Sequence, residues 1–272
     1  MVNRIAPAVV LLRMSFIDTN GHLLHSVSFG AGPTTFVAHG GWVGSWELWE
    51  GPFQRMQSRW RCVSYDHRGA GGSTFPAETI SPAALVDDVF AVLDHYEVER
   101  CVLAGESLGA LTAVAAVLRD PSRFEGLVLV DGVPFTDGKV DPAERAAMMA
   151  DFPSYVKAFV AACVPEPASE HLRRWGEQIL LRAEPAAAAQ MRESHIAAAI
   201  RPDYAALTVP TLVVHGELDH IVPVQAAHYV AGAIAGATLE VLPGAGHVPS
   251  VTQPAALVDV IERWWAGVAP QA

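Results

Sequence analysis

Cys101-Val-Leu-Ala-Gly-Glu-Ser-Leu-Gly109 leads without a break into Ala110-Leu-Thr-Ala-Val-Ala-Ala-Val-Leu-Arg119. Cys101 to Ala104 is a short apolar run of the kind that forms a buried strand. Ala110 to Arg119 is almost wholly apolar, has high helix propensity and stops before Asp120-Pro121. Between them, Gly105-Glu-Ser107-Leu-Gly109 has the spacing G-x-S-x-G. That spacing alone is weak, because it recurs by chance; the strand before it and the helix after it make it informative. In this context Ser107 sits on a tight, strained strand-to-helix turn that lifts its hydroxyl clear of the sheet edge. The flanking glycines let another chain pass close to the turn. The helix that begins here aims free backbone N–H groups at the same point. The competing reading is an ordinary serine in a glycine-bounded loop.

The same rhythm recurs on either side. Thr35–Ala38, Arg61–Tyr65, Gly126–Val130, Thr211–Val214 and Thr238–Leu242 are short apolar or β-branched runs, each followed by a glycine-bearing turn. Helical patterns lie between them: Pro82 to Tyr96 behind an N-cap at Ser81, Pro223 to Ala235, and Pro254 to Trp265. Alternating strands and helices predict an α/β fold, a mostly parallel sheet with helices on both faces. Met14–Asp18 and Leu23–Phe29 flank Thr19-Asn20-Gly21 and read as a hairpin. From Gly132 to Val209 no strand is legible. Helix-like stretches near Pro142–Ala150, Ser154–Cys163, Ser169–Ala183 and Pro185–Ile200 fill it instead. The division expected is a core of residues 1–132 and 209–272, with residues 133–208 as a helical cap or lid subdomain over the sheet.

Composition narrows the function classes. The 272 residues are 51% hydrophobic and 17% charged, which excludes a disordered chain. With 18 Lys+Arg against 29 Asp+Glu, the net charge is −11, and no basic cluster exists, so a nucleic-acid partner is not expected. Cys62, Cys101 and Cys163 stand far apart without metal-ligand spacing, which argues against a structural zinc and suits a reducing, cytoplasmic location. Cys62 and Cys101 fall inside expected strands, where a thiol is buried and inert. Leu108 to Leu118, the best apolar run, is too short to span a membrane, so no membrane insertion is expected. Arg4 and Ile5–Leu12 faintly resemble a signal peptide, but Arg13 closes the run and no cleavage site follows. Self-association into a homo-oligomer is left open.

A serine hydroxyl is a poor nucleophile at neutral pH and needs a base, which in turn needs an orienting acceptor. His247, in Gly244-Ala-Gly246-His247 after an expected strand, is the candidate base. Asp219, which ends His215-Gly-Glu-Leu-Asp219, is the candidate orienter. Asp131, after an earlier strand, is the rival acid or a turn residue. The chain order Ser107, Asp219, His247 fits a sheet of this kind. In His39-Gly40-Gly41-Trp42, backbone N–H groups can face a developing oxyanion. The N–H groups of Leu108 and Gly41 form the expected pair, with Trp42 as the alternative to Gly41. His39 reads as a loop brace, and Asp66-His67-Arg68-Gly69 as a structural turn rather than a phosphate cradle. Trp42, Trp46 and Trp49 are divided between pocket and core. His171, Trp175, His195 and Tyr204 in the cap touch substrate or simply pack.

His39-Gly-Gly-Trp, Tyr65-Asp-His-Arg-Gly-Ala-Gly-Gly-Ser73, Gly105-Glu-Ser-Leu-Gly109, Gly216-Glu-Leu-Asp219 with Ile221-Val-Pro223, and Gly246-His247 together resemble the α/β-hydrolase fold superfamily. The resemblance runs from about Met14 to Ala266. It implies an eight-stranded sheet with a helical cap inserted after strand six. It also implies Ser107 as nucleophile, His247 as general base, Asp219 as acid, and Leu108 with Gly41 as oxyanion hole. A serine at the turn argues against the branches whose nucleophile is an aspartate. Glu106 is less usual before the serine than a histidine or a small residue.

The activity expected is hydrolysis of a carboxylic ester or lactone through an acyl-enzyme, on a small to medium, mainly apolar substrate. No metal or organic cofactor is needed. The alternatives are a C–C bond hydrolase or a cofactor-free lyase or perhydrolase on the same scaffold, and a non-catalytic receptor for a small ligand.

Overall fold

The structure is a computed structural model that describes residues 12–73 and 75–269. The apolar run from Ile5, apart from Leu12 itself, lies outside the described residues. Eight strands form one sheet: β1 (Arg13–Thr19), β2 (His22–Phe29), β3 (Thr34–His39), β4 (Trp60–Tyr65), β5 (Cys101–Glu106), β6 (Phe124–Val130), β7 (Thr211–Gly216) and β8 (Thr238–Leu242). Their order is β1-β2-β4-β3-β5-β6-β7-β8. The β1–β2 hairpin and the β2–β4 pair are antiparallel, and every other pairing is parallel. β3 lies between β4 and β5, so the strand order reverses there. Open α/β sheets bind ligands outside the carboxyl ends of the strands at such a switch.

Both faces of the sheet are covered, which is why its strands read as unbroken apolar runs. Phe36, Ala38, Val102 and Ala104 point into one apolar cluster with helices α1 (Glu50–Met56) and α10 (Pro254–Val268). Their neighbours Val37, Cys101 and Leu103 point into the other, with α2 (Pro82–His95), α3 (Gly109–Arg119) and α8 (Gln225–Ala233). Alternation along each strand thus feeds two cores from one sheet. Cys62 and Cys101 are buried in β4 and β5, as expected.

Four helices fill the stretch between β6 and β7: α4 (Pro142–Ala150), α5 (Phe152–Cys163), α6 (Glu170–Leu180) and α7 (Pro185–Ala197). Asp141 and Asp151 cap α4 and α5 by accepting the N–H groups of Ala143 and Ser154, each with a proline in the first turn. That cap starts α5 at Phe152, two residues before the pattern suggests. α7 ends at Ala197 rather than Ile200, and Ala199 turns left-handed with φ 48°. Met148, Phe152, Val156 and Ile179 join the same cluster as residues of α1 and α10, so these four helices do not pack only on one another. Two short helices escape the sequence pattern, α1 and α9 (Pro249–Thr252). Among the described residues no helix is long and apolar enough to cross a membrane.

Candidate active site

Ser107 follows β5 directly with φ 54°, a left-handed conformation that a non-glycine residue adopts only when its surroundings enforce it. Two hydrogen bonds do so: its N–H donates to the Val130 carbonyl at 2.9 Å, and its carbonyl accepts from Val133 N–H at 3.0 Å. A Cβ on Gly105 would stand 2.6 Å from the Gly109 carbonyl oxygen, and one on Gly109 would meet that of Gly40. Both glycines of the motif are therefore required by close backbone approach.

His247 and Asp219 arrive from the ends of β8 and β7. His247 Nε2 lies 2.8 Å from Ser107 Oγ, and Nδ1 lies 2.7 Å from Asp219 Oδ2. An ionised carboxylate only accepts, so Nδ1 carries the proton and Nε2 is left to accept the serine hydroxyl. Asp219 Oδ1 accepts the N–H groups of Ile221 and Val222 at 2.7 and 2.9 Å. Burial would raise this carboxyl. Hydrogen bonds from His215 and His247, the His247 charge and the Val222 amide reverse that and hold it well below the usual carboxylate range.

Asp131, the rival acid, is fully buried at the end of β6, and its Oδ1 accepts Gly216 N–H at 2.7 Å. It is not the acid bonded to the imidazole. Burial, reinforced by the neighbouring Asp219 charge, pushes Asp131 well above its ordinary value. Asp131, Asp219 and His247 bring ligand-type atoms within 4.8 Å of one another. Asp219 and His247 already bond each other, and one Asp131 oxygen is taken by a backbone amide, so the set is occupied by its own hydrogen bonds.

In the sequence His215 stands out only as the first residue of His215-Gly-Glu-Leu-Asp219. It is fully buried, donates from Nε2 to the Val222 carbonyl at 2.8 Å and lies 3.3 Å from Asp219 Oδ2. It therefore fixes the loop that carries Asp219. The brace expected of His39 belongs to His67. His67 Nε2 donates to the Gly41 carbonyl at 2.7 Å, whereas His39 Nδ1 bonds the Tyr65 hydroxyl at 2.8 Å. Burial lowers both imidazoles and keeps them neutral. The Asp66 turn is structural, as expected: its carboxylate accepts the N–H groups of Trp46 and Gly72, and Arg68 pairs with Asp88 through two nitrogens at 2.7 and 2.8 Å.

The glycine-rich loop passes close over the serine. A Cβ on Gly41 would lie 2.9 Å from Ser107 Cβ and 3.6 Å from its Oγ. Beside it opens a cavity walled chiefly by Trp42, Phe159, Val160, Leu172 and Trp175. Trp42 is fixed there by an indole N–H bond to the Ala188 carbonyl at 2.8 Å and an edge contact with Phe159. Trp49 is core and Trp46 is half-buried against it. Of the insertion's aromatic and histidine residues, Trp175 lines the cavity and His171 lines an outer recess with Glu47 and Glu50. His195 and Tyr204 pack, bonding the carbonyls of Met191 and Pro134. The histidine loop is tied to the insertion: His247 N–H donates to the Cys163 carbonyl at 2.8 Å, and Gly246 N–H to Glu166 Oε1 at 2.7 Å.

A sequence profile described as the alpha/beta hydrolase family matches residues 36–260. The chain belongs to the alpha/beta hydrolase family. As a hydrolase of this family it is 28% identical over 250 residues to a pimeloyl-[acyl-carrier protein] methyl ester esterase of Aeromonas hydrophila, covering 87% of this chain and 96% of that one. It is 30% identical over 228 residues to a putative carbamate hydrolase of Variovorax paradoxus, covering 76% and 84%. Among solved structures, the enol-lactonase of Burkholderia xenovorans superposes with a TM-score of 0.85 over 93% of this chain and 100% of that one. Its sequence identity is 21%, so this likeness speaks to the fold alone.

Glu106 carries a stability consequence. Burial raises its carboxyl from 4.5 to about 7, against an opposing hydrogen bond from Ser250. The unfolded carboxyl ionises near its ordinary value while the folded one keeps its proton. Stability is thus lost as pH rises between these values, by on the order of 3 kcal/mol in all. Glu106→Gln has no proton to lose. Its melting temperature relative to the wild type is expected to rise between pH 4.5 and pH 8; an unchanged difference would contradict the assignment.

Proposed function

We propose that Ser107, His247 and Asp219 act as a catalytic triad that hydrolyses carboxylic esters or lactones of small to medium apolar acids through an acyl-enzyme. The observation that carries this reading is the unbroken hydrogen-bonded line from Ser107 Oγ through His247 to Asp219 beside an apolar cavity. Ser107 Oγ attacks the carbonyl carbon while His247 Nε2 takes its proton. The negative charge on the carbonyl oxygen is met by the N–H groups of Leu108 and Gly41, the latter on the loop that His67 holds. Asp219 keeps the imidazole in the reactive tautomer and stabilises its charged form. His247 then protonates the departing alcohol, and the same imidazole activates water to release the acid.

In this reading residues 133–208 serve as the cap that shapes the acyl cavity, since Phe159, Val160, Leu172 and Trp175 all come from it. Catalysis passes through backbone N–H groups and three side chains, so the scheme requires no cofactor. Relatives named as an esterase and a carbamate hydrolase support acyl transfer to water as the reaction class. A panel of methyl and p-nitrophenyl esters of C2 to C12 acids beside γ- and δ-lactones tests it. Turnover of esters or lactones, strongest for unbranched acyl groups of intermediate length, is the expected result. Cleavage of β-diketones without any ester or lactone turnover would overturn it.

A further inference from the structure

Glu106 takes no part in the chemistry proposed above, yet it lines the same cavity and is the one carboxyl among its lining residues. Its side chain is 1% exposed. Oε1 accepts the Ser250 hydroxyl at 2.6 Å. Oε2, equally buried, has no hydrogen-bond partner among the described residues. Buried polar atoms are nearly always paired, and an unpaired one at a binding site calls for a ligand group or a water. Apart from Ser107 and His247, which the proposed chemistry uses, the Cys163 thiol and the two tryptophan indoles, the other side chains of the wall are hydrocarbon.

We propose that Glu106 is a substrate-recognition residue, and that the substrate carries a hydroxyl group on its apolar acyl part which pairs with the free Glu106 oxygen. The inference rests on the ester or lactone reading and names the substrate class within it. The choice of a hydroxyl follows from the proton. Oε1 already accepts from Ser250, so in the acid form the proton sits on Oε2, which then donates. In the ionised form Oε2 accepts. Burial brings the two forms into balance near neutral pH. A hydroxyl satisfies either form, whereas a carbonyl meets only the acid and an ammonium only the carboxylate. A site built around such a bond discriminates strongly against the analogue that lacks the hydroxyl, because the protein group is then left unpaired.

The test compares kcat/KM at pH 7 for methyl hexanoate and its 3-hydroxy and 6-hydroxy derivatives, using the full chain. The wild type is expected to prefer one hydroxylated ester by about tenfold or more. Glu106→Leu is expected to make the two kinds of ester equal. Glu106→Gln, whose amide N–H can donate from the same position, is expected to keep most of the preference. The readout is a ratio between two substrates on one protein, so a merely structural role would lower both rates and leave it unmoved. A hydroxylated ester no better than methyl hexanoate in the wild type overturns the assignment, whether or not the leucine variant folds; that is the result if a water fills the place. A preference that survives in Glu106→Leu overturns it too. If the wild type hydrolyses none of these esters, nor any ester or lactone of the panel above, the ester or lactone reading fails and this inference with it; if it turns over only other esters or lactones, the Glu106 assignment fails alone. Turnover of methyl hexanoate without a hydroxyl preference sinks the Glu106 assignment alone.

Discussion

Ser107→Ala is expected to lower kcat for ester hydrolysis by about 10⁶-fold, the loss typical when a nucleophile of this kind is removed. The expectation follows from geometry. The Ser107 hydroxyl is the group bonded to His247 Nε2, and no other hydroxyl or thiol among the described residues bonds that nitrogen. Cys163 lines the cavity, but burial raises its thiol far from the reactive thiolate, so it cannot substitute. The remaining rate comes from the oxyanion N–H groups and from binding alone. The substitution removes one atom and leaves the two backbone bonds that hold the turn. The melting temperature should therefore stay near that of the wild type while activity vanishes. Activity within tenfold of wild type would mean that another group attacks the carbonyl.

Asp219→Asn is expected to lower kcat by about 10⁴-fold, and Asp131→Asn by less than about tenfold. Two acids stand near the imidazole, so the comparison separates them. An asparagine at 219 can present its N–H₂ to Nδ1. That would make Nδ1 the acceptor with the ring unmoved and place the proton on Nε2, where it blocks acceptance from Ser107. Asp131 spends one oxygen on the Gly216 amide and does not bond the imidazole, and burial already disfavours its charged form, so an uncharged isostere changes little at His247. Steady-state kinetics on a reactive ester, with each variant's active sites counted, checks both values. A larger loss from Asp131→Asn than from Asp219→Asn would reverse the roles.

The fold was legible because its parallel strands are buried on both faces. Cys101–Ala104 and Gly126–Val130 read as apolar runs, and in the sheet they are adjacent strands packed between two helix layers. Ser107, Asp219 and His247 were legible because each ends or follows a strand, and strand ends gather at one rim. What escaped the sequence depends on contacts between distant segments. Glu106 and Ser250 are 144 positions apart, and no local pattern couples them. His67 bonds the Gly41 carbonyl across 26 positions, although His39 sits next to that loop in the chain. α1 and α9 are too short to show a helical period. The insertion was legible as helices only. Its alanine-rich α7 has no distinct apolar side, and nothing in its composition could tell that Phe159 and Trp175 face the cavity while His195 and Tyr204 do not.

The central claim is that the Ser107 hydroxyl is activated by the His247–Asp219 pair. The most direct measurement is the mass of the intact chain after exposure to a fluorophosphonate, followed by peptide mapping. One phosphonyl group on the Ser107 peptide, absent in Ser107→Ala and formed far more slowly in His247→Ala, is the result the account predicts. A folded wild type that takes up no phosphonyl group, or takes it up at another residue, would contradict it.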